Sequence, residues 1–180
     1  MSSIELFGKK FIPYLSAADI AAQVKRLGTE ISKDYEEKNP LFIAILNGSF
    51  MFASDLFKTL TCAPEICFIK LASYKGTRST GNVITSIGLD ESLKGRHVIV
   101  LEDIVDTGKT LSEFLPQLSD QQPASIKLVA LLHKPEALQH PIKIDYLGFS
   151  VPNKFLLGYG LDFDGQARNL PEIYQLEGQE

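Results

Sequence analysis

The chain has 180 residues, enough for one domain with a substantial buried core. Its net charge of −4, with 44% hydrophobic and 22% charged residues, is that of an ordinary globular protein. It argues against a dedicated nucleic-acid binder, which carries a basic excess or stripe. The apolar runs are short: Leu41–Leu46 is six residues, against the ~20 needed to cross a bilayer. Met1–Lys10 lacks the basic start and apolar stretch of a signal peptide. Cys62 and Cys67 have neither CxxC nor metal-site spacing, which predicts reduced thiols. A single domain spanning 1–180 in the cytoplasm is expected.

In chain order, Ser16 is a helix cap with Asp19 three residues on, close to a capping box. Ile20, Val24, Leu27 and Ile31 follow at helical spacing, and the pattern stops before Asn39-Pro40. Four continuous apolar runs come next: Leu41–Leu46, Ile66–Leu71, Val98–Leu101 and Ile126–Leu132. They are rich in Ile, Val and Leu and do not alternate, as expected of strands buried on both faces of a parallel sheet. Helical patterns over Ser49–Leu60 and Thr107–Leu118 separate some of them. The order predicts an α/β fold, an open, mostly parallel sheet flanked by helices, with ligands at the carboxyl ends of the strands. The polar stretch Ser73–Ser86 interrupts this pattern, and fits either an exposed hairpin or a mobile loop that closes over a site.

The segment Val98–Leu111 reads VIVLEDIVDTGKTL. Glu102 and Asp103 follow a strand, and Asp106-Thr107-Gly108-Lys109-Thr110 forms a tight loop opening a helix. A helix amino terminus offers unpaired N–H groups and a positive dipole end, and Thr107 and Thr110 add hydroxyls. Gly108 permits close backbone approach. The loop therefore reads as a phosphate cradle. Two carboxylates beside it make sense if they face hydroxyls or a magnesium ion. A ribose 5-phosphate supplies both phosphate and vicinal hydroxyls. A Walker A loop would need glycine at position 103, which is Asp103. Gly158 and Gly160 lack the third glycine of a dinucleotide fingerprint, since position 163 is Phe163.

LEDIVDTGKTL resembles the phosphoribosyl-pyrophosphate signature of type I phosphoribosyltransferases, and the likeness extends to their hypoxanthine-guanine branch. It runs from about Leu41 to Leu170 in four motifs. Leu46-Asn47-Gly48-Ser49 resembles the pyrophosphate loop, and its first peptide bond is expected to be cis or strained. Ser73-Tyr74, with Ser79-Thr80-Gly81 downstream, resembles the flexible catalytic loop. Lys134 and Val151–Asp162 (VPNKFLLGYGLD) resemble the purine-binding hood, formed by the amino-terminal segment and about 134–180. Many members carry lysine where this chain has Asn47, a change that bears on subunit contacts.

The resemblance implies a Mg²⁺-dependent glycosyltransferase of purine salvage. It would join hypoxanthine or guanine to the ribose 5-phosphate of phosphoribosyl pyrophosphate. Leu46, Asn47 and Gly48 would meet pyrophosphate, and Ser73 and Tyr74 would sit in the lid. Glu102 and Asp103 would hold the ribose hydroxyls, directly or through Mg²⁺. Asp106 would also assist deprotonation at purine N7, while Thr107, Gly108, Lys109 and Thr110 hold the 5-phosphate. Lys134 would donate to O6 and Phe155 would stack on the base. The Leu156 carbonyl would accept from N1–H. Asp162 would ligate a second Mg²⁺, and Arg168 would offset pyrophosphate charge. A homodimer or homotetramer is implied. A xanthine-preferring enzyme and a non-catalytic regulator that binds nucleic acid on the same fold are the alternatives.

Overall fold

The computed structural model describes residues 2–74 and 83–178, with the backbone alone at 72–74 and 83–87. Two strands come first, β1 (Ile4–Leu6) and β2 (Lys9–Leu15), joined as an antiparallel hairpin. Helix α1 (Ala17–Asp34) follows. Ser16 caps it: its Oγ accepts from the Asp19 N–H at 3.1 Å while the Asp19 carboxylate returns to the Ser16 backbone, a complete capping box. Then come β3 (Leu41–Leu46), α2 (Phe50–Phe57), β4 (Glu65–Tyr74), β5 (Val83–Ile87), β6 (His97–Val105), α3 (Lys109–Ser119), β7 (Ser125–His133), β8 (Tyr146–Ser150), β9 (Leu156–Leu157) and β10 (Ile173–Leu176).

The large sheet runs in the order β5-β4-β3-β6-β7-β8. Its five strands β4, β3, β6, β7 and β8 are parallel, and β5 is an antiparallel edge. The predicted open α/β sheet is what forms. The non-alternating runs have a direct cause on β3. Phe42 and Ala44 enter a core shared with Ile20, Val24, Leu27 and Ile31 of α1 and Phe52 and Leu56 of α2. Leu41, Ile43 and Ile45 enter a second core with Leu111, Phe114 and Leu118 of α3. Both faces of the strand are covered, so both faces must be apolar.

One reading is corrected and another is met in part. Glu102 and Asp103 do not follow the strand; the ladder with β7 continues to Val105 opposite His133, so the acids are strand residues. Ser73–Ser86 begins and ends as the antiparallel hairpin arms of β4 and β5, while Ser79, Thr80 and Gly81 lie outside the described residues.

Sequence periodicity did not reveal the second sheet, of order β1-β2-β10-β9, which joins the two ends of the chain. β8 belongs to the large sheet, so this small sheet draws its carboxyl-terminal part from 156–176 rather than from everything after about 134. Cys62 and Cys67 are free thiols, and burial pushes Cys67 up to about 11. No helix among the described residues is long and apolar enough to cross a membrane.

Candidate active site

β3 connects to β4 on one side, while β6 lies on its other side. The order in which successive strands are added to the sheet therefore reverses between the parallel neighbours β3 and β6, the crevice at which open α/β sheets bind ligands. Both signature segments end there. The Leu46-Asn47 peptide after β3 is cis, as expected. Gly48 then passes Asp103 so closely that a Cβ would stand 1.5 Å from the carboxylate. A side chain at position 48 would force the Asp103 carboxylate to move.

Beyond β6, Glu102, Asp106, Thr107, Gly108, Lys109 and Thr110 line one pocket. Gly108 is the N-cap of α3 at φ 77°, with no side-chain cap. Asp106 therefore does not cap the helix, and its carboxylate is left for other work. A Cβ on Gly108 would lie 2.5 Å from the His140 carbonyl. The N–H groups of Gln139 and His140 both donate to the Thr107 carbonyl at 3.0 Å. The loop is thus clamped from behind by 139–140, and Lys109, Thr110 and Leu111 of the first turn of α3 line the pocket, at the kind of helix terminus that can hold an anion.

Lys134 follows β7 and is 8% exposed, not a surface lysine. Its Nζ lies 3.2 Å from Asp106 Oδ2. This ion pair was absent from the sequence reading, because its partners are 28 residues apart, each just past the end of one of two adjacent parallel strands.

The acidic pair is electrostatically loaded. Burial and the neighbouring Asp103 push the Glu102 carboxyl well up. Burial raises Asp103 to about 6, opposed by N–H donation from Ile104 at 2.9 Å and by the charge of Arg168. Glu102 Oε2 and His133 Nε2 are the buried side-chain polar atoms without a hydrogen-bond partner among the described residues. Both lie toward the carboxyl ends of β6 and β7. Arg168 pairs with Asp162 at 2.6 Å and donates to the Gly160 carbonyl at 2.7 Å. Glu102, Asp103 and Asp162 do not converge as one metal cage among the described residues. Mg²⁺ does not require one, since it takes one or two carboxylates plus water and substrate oxygens. An unsatisfied hard oxygen donor on Glu102, next to the Asp103 carboxylate, fits that ion.

Phe155 is 37% exposed, backed by Phe163 at 5.3 Å edge-on and Phe11 at 6.2 Å between ring centroids. The ring thus packs against two other aromatic rings. Leu156 is buried in β9. Leu46 closes β3, Ser73 and Tyr74 close β4, and Asn47 is exposed. Leu46, Ser73, Tyr74, Glu102, Asp103 and the 106–110 loop thus lie at the carboxyl edge of the large sheet, and Leu156 lies in the small sheet.

A phosphate loop, an acidic pair and a lysine at this edge define a phosphoribosyl-group enzyme. The sequence profile of the phosphoribosyl transferase domain matches residues 14–164, and the chain belongs to that family. It is 42% identical over 160 residues to a hypoxanthine-guanine phosphoribosyltransferase of Lactococcus lactis, covering 88% of this chain and 87% of that one. It is also 42% identical over 156 residues to a hypoxanthine-guanine-xanthine phosphoribosyltransferase of Tritrichomonas foetus, covering 86% and 85%. A crystal structure of a Bacillus anthracis hypoxanthine-guanine phosphoribosyltransferase with HEPES in its active site superimposes with a TM-score of 0.84. It is 33% identical and covers 92% of this chain and 96% of that one.

Proposed function

We propose that this phosphoribosyltransferase transfers ribose 5-phosphate from phosphoribosyl pyrophosphate to hypoxanthine or guanine, giving the nucleoside monophosphate and pyrophosphate. The Lys134–Asp106 pair beside the phosphate loop carries this reading. A 6-oxopurine protonated at N7 presents an acceptor at O6 and a donor next to it. Lysine has only donors and an ionised carboxylate only acceptors. The two side chains match that edge in order, whereas adenine would turn an amino donor toward Lys134.

With the base stacked on Phe155 and its N1–H directed to the Leu156 carbonyl, N9 faces ribose C1′. The N9 lone pair forms the new C–N bond, the C1′–O bond to pyrophosphate breaks, and the N7 proton passes to Asp106. Thr107, Gly108, Lys109 and Thr110 hold the 5-phosphate. Glu102 and Asp103 take the ribose hydroxyls and one Mg²⁺; Leu46, Asn47, Gly48, Asp162 and Arg168 surround pyrophosphate, Asp162 with a second Mg²⁺. The metal supplies charge neutralisation of the leaving group. Ser73 and Tyr74 belong to the lid that excludes water. The small sheet serves as the hood over the base, and the whole chain acts as one domain. The enzyme works in the cytoplasm as a homodimer or homotetramer, without nucleic acid or membrane.

The test is product formation from phosphoribosyl pyrophosphate and Mg²⁺ with hypoxanthine, guanine, xanthine, adenine and uracil. Turnover of hypoxanthine or guanine, with adenine and uracil rejected, is expected. Preference for xanthine alone would replace the substrate, and RNA binding without turnover would replace the reading. Lys134→Ala should raise the KM for the base by roughly 10- to 150-fold, one charge-assisted hydrogen bond, and leave that for phosphoribosyl pyrophosphate nearly unchanged.

A further inference from the structure

We propose that Tyr159 and Asp55 form a positioning pair that sets the gap between the Asn47-Gly48 loop and the Gly158–Asp162 turn. This rests on the reading above, in which those two segments are opposite walls of the pyrophosphate site.

Tyr159 occupies a position that does not suit it locally. It lies between Gly158 and Gly160, at φ 96° and 98°, and is itself at φ 48°. An L residue with a large side chain is disfavoured there, and glycine or asparagine is the usual occupant. A tertiary contact must compensate. The ring is 4% exposed, and its hydroxyl donates to Asp55 Oδ2 at 2.8 Å, across 104 residues of sequence. Burial and the Asp55 carboxylate hold the hydroxyl protonated far above its ordinary range, so it remains a donor. The other Asp55 oxygen takes Lys58 at 2.8 Å, which leaves Oδ2 for the tyrosine.

Each end of the pair is mechanically joined to one wall. Asp55 belongs to α2, whose N-cap Ser49 directly follows the Asn47-Gly48 loop. Ala53 N–H donates to the Ser49 carbonyl at 2.8 Å, and Ser49 Oγ donates to the Ile45 carbonyl. Helix, loop and the end of β3 therefore move together. On the other side, Tyr159 N–H donates to the Leu170 carbonyl at 2.8 Å and Gly160 N–H to the Arg168 carbonyl at 2.9 Å. Arg168 binds Gly160 and Asp162 in return.

Between the walls, a Cβ on Gly160 would lie 1.9 Å from the Gly48 carbonyl oxygen. The two backbones touch with no side chain to adjust the distance, so a small rotation of α2 would open or close the gap. The Tyr159–Asp55 bond opposes that rotation. Lys134 belongs to a different segment, and Phe155, although only four residues before Tyr159, is held on β10, whose Leu176 N–H donates to the Phe155 carbonyl at 3.0 Å, so base binding should register the change far less.

The experiment compares the parent with Tyr159→Phe, Asp55→Ala, Asp55→Asn and the Tyr159→Phe/Asp55→Ala double variant. Calorimetry with inorganic pyrophosphate and Mg²⁺ is paired with KM values for phosphoribosyl pyrophosphate and hypoxanthine. Tyr159→Phe keeps the buried ring and removes only the donor. It and Asp55→Ala should each weaken Mg-pyrophosphate and raise the KM for phosphoribosyl pyrophosphate on the order of tenfold, the scale of one hydrogen bond to a charged group. The KM for hypoxanthine should stay within about twofold. Asp55→Asn keeps an acceptor oxygen and should stay within about threefold of the parent, and the double variant should be no worse than either single one. A lower melting temperature with an unchanged ratio of the two KM values would overturn the proposal and leave a merely structural contact. A parent that neither turns over nor binds Mg-pyrophosphate would overturn the reading of the site itself, a result visible before any variant is made.

Discussion

Asp106 shows how one side chain's role depends on what the backbone around it does. Gly108 takes the N-cap position of α3, and the Asp106 carboxylate, 47% exposed, faces Lys134. Asparagine there keeps the shape and an acceptor oxygen but cannot take a proton. Asp106→Asn should slow single-turnover chemistry by roughly 10²–10⁴-fold, the range of a lost general base. Stability should change by less than about 1 kcal/mol, because the ion pair is open to water on one side. Asp103 makes a prediction of another kind. Its folded-state value of about 6 lies above the ordinary carboxyl value, so the folded protein holds a proton there that the unfolded chain has lost. Its contribution to stability is therefore present at low pH and declines as pH rises from about 4 to about 6. The span is worth up to about 3 kcal/mol. Thermal melts of the ligand-free protein across that window should show Asp103→Asn gaining on the parent as pH rises. A constant difference would mean that Asp103 titrates normally.

In the proposed site the loop between β6 and α3 would hold the phosphate, and its conformation is set by the left-handed Gly108 and by the 139–140 segment behind it. Gly108→Ala meets both a positive φ and the His140 carbonyl at 2.5 Å. A single left-handed alanine costs about 1–2 kcal/mol before the clash is counted. That should lower the melting temperature by roughly 2–8 °C and raise the KM for phosphoribosyl pyrophosphate well above that for the base. Equal increases in both constants would mean that the loop does not bind the phosphate. The helix itself was legible from Leu111, Phe114 and Leu118, which the fold does bury. Its first residue was not: the pattern started it at Thr107, whereas the left-handed Gly108 delays it to Lys109.

Across the whole molecule, the sheet edge gathers carboxylates that repel one another, and the proposed Mg²⁺ and substrate would relieve that repulsion. Phosphoribosyl pyrophosphate with Mg²⁺ should therefore stabilise the protein. At about 100 times the dissociation constant the gain is about 2.7 kcal/mol, a rise in melting temperature of roughly 5–10 °C. Excess chelator should remove both that rise and turnover. Full activity in chelator would exclude the metal.

Patterns confined to a few neighbouring residues were readable without coordinates: the Ser16–Asp19 capping box, the two-faced strands, and the strand–loop–helix order of Val98–Leu111. Each reflects a local geometry, whether a helical turn, a pleat or a tight loop, that the next few residues must satisfy. The small sheet was invisible because it pairs Phe11 with Leu176 and Leu157 with Tyr174, short strands from opposite ends of the chain with no period of their own. Lys134 beside Asp106, Arg168 on Asp162 and Tyr159 on Asp55 were invisible for a related reason. Sequence shows which residues can donate and which can accept. Only the folding of distant segments against one another decides which donor meets which acceptor, and that choice separates a buried lysine paired with Asp106 from a lysine on the surface.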